Sequence, residues 1–223
     1  MLPDPIEAIQ RYTEAVGRRE IEPACNRCPE CHEDPEEFQL HDRRKRIFLV
    51  VVARTVRRVL SLVSRWKCPC CKVSFTFYPP FALPHKRYVK DAVFGLARAY
   101  LERDELSYRS AVEVEHMPVF YEEPGSEAPI DERSLSHSTL HRWLPFLSLL
   151  VATLAEALRL VRGRSASGDL FRRILAVASR KYRSDERRKV LERALRLLAS
   201  DAEFHALFGR SIFPDLATAC GWR

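Results

Sequence analysis

The chain has 223 residues, of which 46% are hydrophobic and 30% are charged, and its formal net charge is +7. A chain of this composition can bury a core, which excludes an intrinsically disordered protein. The N-terminus lacks a basic segment followed by an apolar run, and the longest apolar run, residues 143–155, is shorter than the ~20 residues of a membrane-spanning helix. We therefore expect a soluble, cytoplasmic protein that does not associate with a membrane.

The charges are unevenly distributed along the chain. Residues 1–40 hold four basic and ten acidic residues, residues 41–67 hold nine and one, and residues 159–196 hold thirteen and four. Concentrated basic charge is typical of proteins that bind a polyanion, above all nucleic acid. Solvated helix faces would give the same pattern, so charge alone leaves both interpretations open.

Six of the seven cysteines lie in two short segments, CNRCPECH at residues 25–32 and KCPCCK at residues 67–72. In a reducing cytosol, closely spaced cysteines more often bind a metal than form disulfides. Each segment contains a C-P-x-C turn, and two such turns offer the four thiolates that structural zinc prefers in a tetrahedron. The pattern therefore predicts a structural zinc ion held by Cys28, Cys31, Cys68 and Cys71.

Three further donors lie in the same segments and remain alternative ligands. Cys25 forms another C-x-x-C with Cys28, and His32 and Cys70 are adjacent to predicted ligands. Buried or redox-active cysteines are the alternative to a metal site. A catalytic zinc is disfavoured, because it would keep an open position and usually take histidine or carboxylate ligands. Cys220, alone near the C-terminus, is predicted to be inert.

The residues around the cysteine segments predict a zinc ribbon over residues 23–83, preceded by an N-terminal helix or arm over residues 1–22. Residues 38–66 are rich in Val, Ile and Phe and predict two or three strands, and VSFTFYPPF at residues 73–81 predicts a closing strand. Several aromatic residues here would stack on bases or, the interpretation we favour, form a small core around the metal. They are Trp66, Phe75, Phe77, Tyr78 and Phe81.

Helical periodicity follows the ribbon, over residues 84–147. Ser107 is a candidate N-cap for a short second helix, and Ser136 or Ser138 can cap a third. The acidic residues 113–132 between these two helices predict a loop. The predicted inward residues are Val89, Val93, Leu96, Ala97, Tyr100 and Leu101 in the first helix and Leu140, Trp143, Leu144 and Leu147 in the third.

A helix, a short second helix and a third helix with a polar start indicate a helix-turn-helix. The start of the third helix would meet base edges, and its amide groups and dipole would favour phosphate. An ordinary capped helix with a polar first turn is the alternative. The predicted DNA contacts are His137, Ser138, Thr139, His141 and Arg142 on this helix, and Arg43, Arg44, Lys45 and Arg46 on phosphates.

The order of several motifs carries a family resemblance: two C-P-x-C turns, the second followed by SFT, then YPPF…PHKRY, LSYR and SHSTLHRWL. Over residues 24–147 the chain resembles the N-terminal region of certain bacterial insertion-sequence transposases and related uncharacterised proteins. The resemblance implies a zinc ribbon followed by a helix-turn-helix, with the metal on Cys28, Cys31, Cys68 and Cys71 and the SHSTLHRW helix on DNA. One departure is the spacer of about twenty residues before the third helix, where a tight helix-turn-helix has a turn of ~3–4 residues.

The remaining residues, 148–223, predict a helical region. FLSLLVATLAEALRLV, residues 146–161, is apolar on most sides and predicts a buried helix in a core or a dimer interface. DLFRRILAVASRKYR, residues 169–183, predicts a further helix with one apolar and one basic face. The apolar face would carry Leu170, Phe171, Ile174, Leu175 and Ala178.

Transposases of this kind cut DNA with three carboxylates and two metal ions on a fold of mixed strands. The residues after Trp143 show no run of strands, so we expect a protein that is not an enzyme.

The sequence therefore predicts an α+β fold, in which a small β-rich zinc ribbon precedes a mostly α-helical region containing a helix-turn-helix. The predicted function is zinc-dependent binding of double-stranded DNA, for transposon-end binding, targeting or repression. A separate transposase or nuclease subunit and a second copy of the chain are candidate partners. The alternatives are a protein-interaction adaptor, which would use the ribbon and the apolar C-terminal helices, and a cryptic metal-dependent nuclease.

Overall fold

The computed structural model describes residues 5–22, 27–34, 37–52, 55–115, 120–122, 131–132, 135–164 and 175–213. These residues form the mixed α+β fold that the sequence predicts. The elements run in the order α1 (Pro5–Arg18), β1 (Gln39–Val52), β2 (Thr55–Lys67), β3 (Ser74–Phe77), α2 (Lys90–Glu102), α3 (Tyr108–Glu115), β4 (Phe120–Glu122), β5 (Asp131–Glu132), α4 (His137–Ser148), α5 (Val151–Arg164) and α6 (Asp185–Phe208).

The sheet is built on one long hairpin between the two cysteine segments. β1 and β2 pair in antiparallel orientation from Gln39↔Lys67 to Val52↔Thr55, with one irregularity between Leu40 and Asp42. Residues 47–52 are apolar and mostly β-branched, a composition that favours strands. β3 pairs in antiparallel orientation with residues 64–67 of β2, so the predicted closing strand is confirmed.

The acidic segment 113–132 is not the simple loop that its composition predicts. It begins with the last residues of α3, and β4 then pairs in parallel with β2 at Val56↔Tyr121, while β5 pairs with β4. This pairing gives the backbone of β2 a partner at what would otherwise be a free sheet edge. The prediction of a loop is therefore wrong for residues 113–115, 120–122 and 131–132. Residues 116–119 and 123–130 lie outside the described part.

Three hydrophobic clusters are distributed along the hairpin. The first lies at the cysteine end and contains Trp66 and Phe75. The second packs Ile9 of α1 against Phe48 and Val63 of the hairpin. The third and largest is formed mainly by α2, α4 and α6, and it includes every predicted inward residue of the first and third helices except Val89, which is buried in the second cluster.

Two serine caps fix the starts of α3 and α4. The amide of Ser110 donates to Ser107 Oγ at 3.0 Å, and the amide of Ser138 donates to Ser136 Oγ at 3.3 Å. Each serine satisfies an amide that has no partner within the first turn of the helix. Ser107 is therefore confirmed as a cap, and of the two candidates for the third helix the structure selects Ser136.

The apolar segment 146–161 is not the single helix that the sequence predicts. α4 ends at Ser148, α5 begins at Val151, and the two helices are bent by 60°. The amide of Leu150 bonds to the carbonyl of Leu147, three residues back, a tightening typical of helix ends. In the described part of the chain no single helix has the length and apolar composition needed to cross a membrane, and α4 and α5 meet that test only together, as a bent pair.

Residues 175–183 also differ from the predicted helix. In this segment the side chain of Lys181 bonds to the C-terminal end of α2. Its ammonium donates to the carbonyls of Tyr100, Arg103 and Leu106 at 2.5, 2.8 and 3.0 Å. Residues 175–178 are irregular and Ser179–Lys181 form a single 3₁₀ turn. The prediction of a helix over 169–183 is wrong for these residues, and residues 169–174, which include Leu170, Phe171 and Ile174, lie outside the described part.

Candidate metal centre

Two turns of matching backbone form carry the four cysteines. In each turn the amide of the first cysteine, Cys28 or Cys68, donates to the carbonyl five residues later, at 2.9 and 3.0 Å. Its carbonyl accepts from the amide four residues later, at 3.0 Å in both turns. The residues donating that second bond, His32 and Lys72, both have positive φ, 60° and 63°. The same turn is therefore built twice, once before β1 and once after β2.

The four sulfurs of these turns converge. Cys28 Sγ lies 3.8 Å from Cys71 Sγ, and Cys31 Sγ lies 3.8 Å from Cys68 Sγ, so each close pair joins one turn to the other. All four sulfurs lie within 4.8 Å of one another. A tetrahedron with metal–sulfur bonds of ~2.3 Å has edges of about 3.8 Å. The four predicted ligands are therefore close enough to hold a metal ion.

The thiols of the cluster differ in acidity. Burial raises the pKa of the Cys28 thiol to about 12. Burial also disfavours the thiolate of Cys68, but the amides of Cys71 and Cys70 donate to this sulfur and lower its pKa to about 7. One thiolate therefore forms readily near neutral pH, whereas Cys28 needs a cation nearby to lose its proton.

An aromatic core supports the two turns. Phe38 and Phe75 meet edge to face at 5.1 Å, and the indole of Trp66 donates to Ser64 Oγ at 2.9 Å. Trp66, Phe75 and Phe77 are at most 9% exposed, so they cannot stack on bases. For these three aromatic residues the interpretation as a small core beside the cysteines is confirmed.

The alternative ligands stand apart from the cluster or lie outside the described residues. His32 and Cys70 are exposed, and neither belongs to the four-residue group that could hold a metal. Cys70 occupies the position in the second turn that Glu30 has in the first. Cys25 and Cys220 lie outside the described residues.

The four basic residues predicted to contact phosphates lie on β1, and their side chains are split between the two faces of that strand. Side chains alternate between the two faces of a strand, so Arg43 and Lys45 face one way while Arg44 and Arg46 face the other. Arg43, Arg44 and Lys45 are exposed and Arg46 is half-buried. The segment therefore does not offer one continuous cationic face.

All three of these arginines also contact the protein. Arg44 Nε donates to Asp42 Oδ2 at 3.2 Å. Arg43 Nη1 donates to the carbonyl of Gly17 in α1 at 2.9 Å. The guanidinium of Arg46 donates to the Tyr78 hydroxyl at 3.3 Å and to the carbonyl of Lys86 at 3.1 Å. Arg46 thereby connects β1 to the segment that follows the sheet.

The residues predicted to read bases lie on the first turns of α4. His137, Ser138, His141 and Arg142 are exposed, and Thr139 is half-buried. These side chains are accessible to a partner, as the prediction requires.

A cluster of rings joins α2, α3 and α4. Tyr108 of α3 stacks on Tyr100 at 4.1 Å and meets His141 edge to face at 5.3 Å, although residues 116–136 separate α3 from α4. Burial, followed by the charges of Arg187 and His137, lowers the pKa of His141. His141 is therefore neutral at neutral pH.

The sequence did not identify one partner of the cysteine turns that lies outside the ribbon. Ile21 packs in the cysteine-end cluster together with Phe38 and Leu40. Phe38 immediately precedes β1 and follows the acidic segment 33–37, and it is the first of the residues predicted to form strands. Ile21 follows α1 and has no distinguishing local pattern.

The chain matches no protein-family model, no curated protein and no solved structure.

Proposed function

We propose that this chain is a DNA-binding protein whose cysteine cluster holds a structural zinc ion. The observation that supports zinc is the convergence of Cys28, Cys31, Cys68 and Cys71 within 4.8 Å. Four thiolates in a tetrahedron are typical of structural zinc, and soft sulfur ligands select zinc over hard cations such as magnesium. All four positions are filled by protein, so the ion would stabilise the fold and leave no site for a substrate.

The net charge of +7 and the accessible start of α4 support DNA as the partner. His137, His141 and Arg142 are exposed there, and a helix of this size fits the major groove. Lys45 on β1 is an exposed cation that would contact a phosphate, whereas Arg44, on the opposite face of the strand, is paired with Asp42 at 3.2 Å. As the order of the sequence motifs predicts, the role would be transposon-end binding, targeting or repression, without DNA cleavage.

The test is binding of the zinc-loaded protein to a labelled DNA duplex over a range of salt concentrations. We expect the logarithm of the association constant to fall linearly with the logarithm of salt, because each phosphate contact releases counterions. Arg142→Gln should weaken binding, whereas Arg159→Gln should not, because Arg159 is paired with Glu156 on α5 at 2.7 Å. The proposal would be contradicted if no binding were detected at low salt, or if the association constant did not change with salt concentration.

The corner between α4 and α5 supports a second candidate, a protein-interaction adaptor. Leu149 is 76% exposed and Val151 is 52% exposed, in the apolar segment assigned to that role. Large apolar side chains exposed together often mark protein interfaces. This candidate predicts a stoichiometric protein partner that co-purifies with the wild-type chain but not with Leu149→Asp, in material without nucleic-acid absorbance.

A further inference from the structure

Between the sheet and the first residue of α2 runs a segment with two lysines, one arginine, one histidine and no acidic residue, PHKRYVK at residues 84–90. We call this segment the basic loop. His85 and Arg87 are exposed, and Lys86 and Lys90 are half-buried. The first two turns of α4 and the basic run of β1 were predicted to contact DNA, but the basic loop was not.

The basic loop is held against the outer edge of β1 by its backbone. The amide of Leu49 donates to the carbonyl of Arg87 at 2.8 Å, and the amide of Val89 donates to the carbonyl of Leu49 at 3.1 Å. Tyr88 forms a parallel bridge with Leu49 at the same place. Because these bonds use main-chain atoms, the side chains of His85 and Arg87 are left exposed.

The basic loop also contacts α4. The rings of Tyr88 and Trp143 meet at 5.3 Å, and Lys86 Nζ lies 4.1 Å from the centre of the Phe146 ring. Phe146 is four residues from Arg142, which places both on one side of α4. The basic loop is therefore fixed between β1 and α4.

The cationic groups of these three elements are neighbours. Arg46 of β1 donates to the carbonyl of Lys86, and the positive charge of Arg142, after burial, lowers the pKa of Lys86. Among the described residues, no carboxylate contributes to that shift. Like charges gathered at one place are costly to a folded protein on its own, and an anionic partner removes that cost.

We propose that the basic loop contacts DNA phosphates through His85, Lys86 and Arg87 and joins β1 and α4 into one binding surface. This inference rests on the proposed function and adds to it the central part of the surface. The main chain of the loop is fixed at Leu49, so only its side chains would have to be ordered when DNA binds. Contacts to phosphate position the protein and read no sequence, so the basic loop would set the orientation of α4.

The experiment compares Arg87→Gln with the wild-type protein and with Arg196→Gln, by salt titration of binding to two duplexes of unrelated sequence. Arg87 holds the loop through its carbonyl, so glutamine keeps that bond and removes only the charge. Arg196 is an exposed arginine on α6, and its replacement makes the same change in net charge.

We expect Arg87→Gln to weaken binding several-fold on both duplexes and to reduce the salt slope by about one. Arg196→Gln should leave both quantities unchanged. If the wild-type protein binds and the two variants lose affinity equally, the inference about the basic loop is overturned and DNA binding stands. If the wild-type protein does not bind either duplex at low salt, the proposed function itself is overturned.

Discussion

At the scale of single residues, His32 and Lys72 hold a backbone conformation that is unfavourable for any side chain. Both have φ near +60°, the left-handed region that glycine adopts without a steric penalty. Each donates its amide to the carbonyl of the first cysteine in its turn, at 3.0 Å. The two turns are therefore kept by their hydrogen bonds and the cysteine cluster against a local preference.

Replacing His32 or Lys72 by glycine should stabilise the metal-loaded protein. The change removes a steric cost of ~1–2 kcal/mol and adds a chain-entropy cost of ~0.5–1 kcal/mol, so the net gain should lie between zero and about 1.5 kcal/mol. Urea denaturation in the presence of zinc measures it. Lys67→Gly is the control, because Lys67 lies in the extended strand β2 and should lose stability. A loss in His32→Gly and Lys72→Gly as large as in the control would contradict the account.

Lys181 is a buried cation whose three donors are all used. It bonds three carbonyls at and beyond the C-terminus of α2, where a positive charge is favourable, and its ammonium lies 4.1 Å from the centre of the Tyr100 ring. Burial lowers the pKa of Lys181, so the folded protein depends on these carbonyls to keep the ammonium charged. One side chain thus joins two segments about eighty residues apart.

Lys181→Met should destabilise the protein, because the carbonyls of Tyr100, Arg103 and Leu106 lose their bonds to the ammonium, although the Arg103 carbonyl still accepts from the amide of Leu106. The expected loss is roughly 1–3 kcal/mol, the usual cost of removing one partner of buried hydrogen bonds. Arg180→Met, at the exposed neighbouring position, should change stability by no more than about 0.5 kcal/mol. Urea midpoints of the two variants give the comparison, and equal midpoints would show that the contact is unimportant.

At the scale of secondary-structure elements, α4 is positioned by its start and its end. Ser136 caps the first turn, and the helix ends at the bend before α5. Leu140, Trp143 and Leu144 are buried between these ends, so the polar first turns remain at the surface. The cap therefore determines how far the predicted DNA-contacting residues are ordered.

Ser136→Ala should cost about 0.5–2 kcal/mol, the usual loss of a serine N-cap. Ser138→Ala should cost less, because it removes only the bond between the Ser136 and Ser138 hydroxyls, at 2.8 Å, and keeps the amide of Ser138 bonded to the cap. Urea unfolding followed by circular dichroism distinguishes the two variants. A larger loss in Ser138→Ala would mean that the wrong serine has been identified as the cap.

Local sequence patterns predicted most of the helices and strands. They did not predict the contacts between segments that are far apart in the chain. A few neighbouring residues determine the C-P-x-C turns, the helix caps and the inward faces of α2 and α4. These features could therefore be predicted from short stretches of sequence. The pairing of β4 with β2 and the contact between Lys181 and Tyr100 join residues more than sixty positions apart. The bend after Ser148 was missed because the apolar pattern continues across it.

The basic residues illustrate the same limit at the candidate binding surface. Their sequence clustering indicated a polyanion partner, but it does not reveal that β1 sends Arg43 and Arg44 to opposite faces. Nor does it show that Lys86 lies beside Arg46 on one side and Arg142 on the other. Charge counts along a chain predict a partner class, whereas the surface itself depends on the fold.

At the scale of the whole molecule, the cysteine cluster lies at one end of the hairpin and the helical core at the other. The cysteine-end cluster contains Phe38, Trp66, Phe75 and Phe77 besides the cysteines. A cluster this small gains little from hydrophobic burial alone, and such small units usually depend on a metal or a disulfide. We therefore expect this end of the molecule to be ordered only when the metal is bound.

The central claim is that one zinc ion is bound by Cys28, Cys31, Cys68 and Cys71. X-ray absorption spectroscopy at the zinc edge, on protein of measured metal content, tests it most directly. The account predicts one zinc per chain surrounded by four sulfurs at ~2.3 Å, with zinc lost in Cys28→Ser and retained in Cys70→Ser. A nitrogen or oxygen ligand in the first shell, or full zinc content in Cys28→Ser, would contradict it.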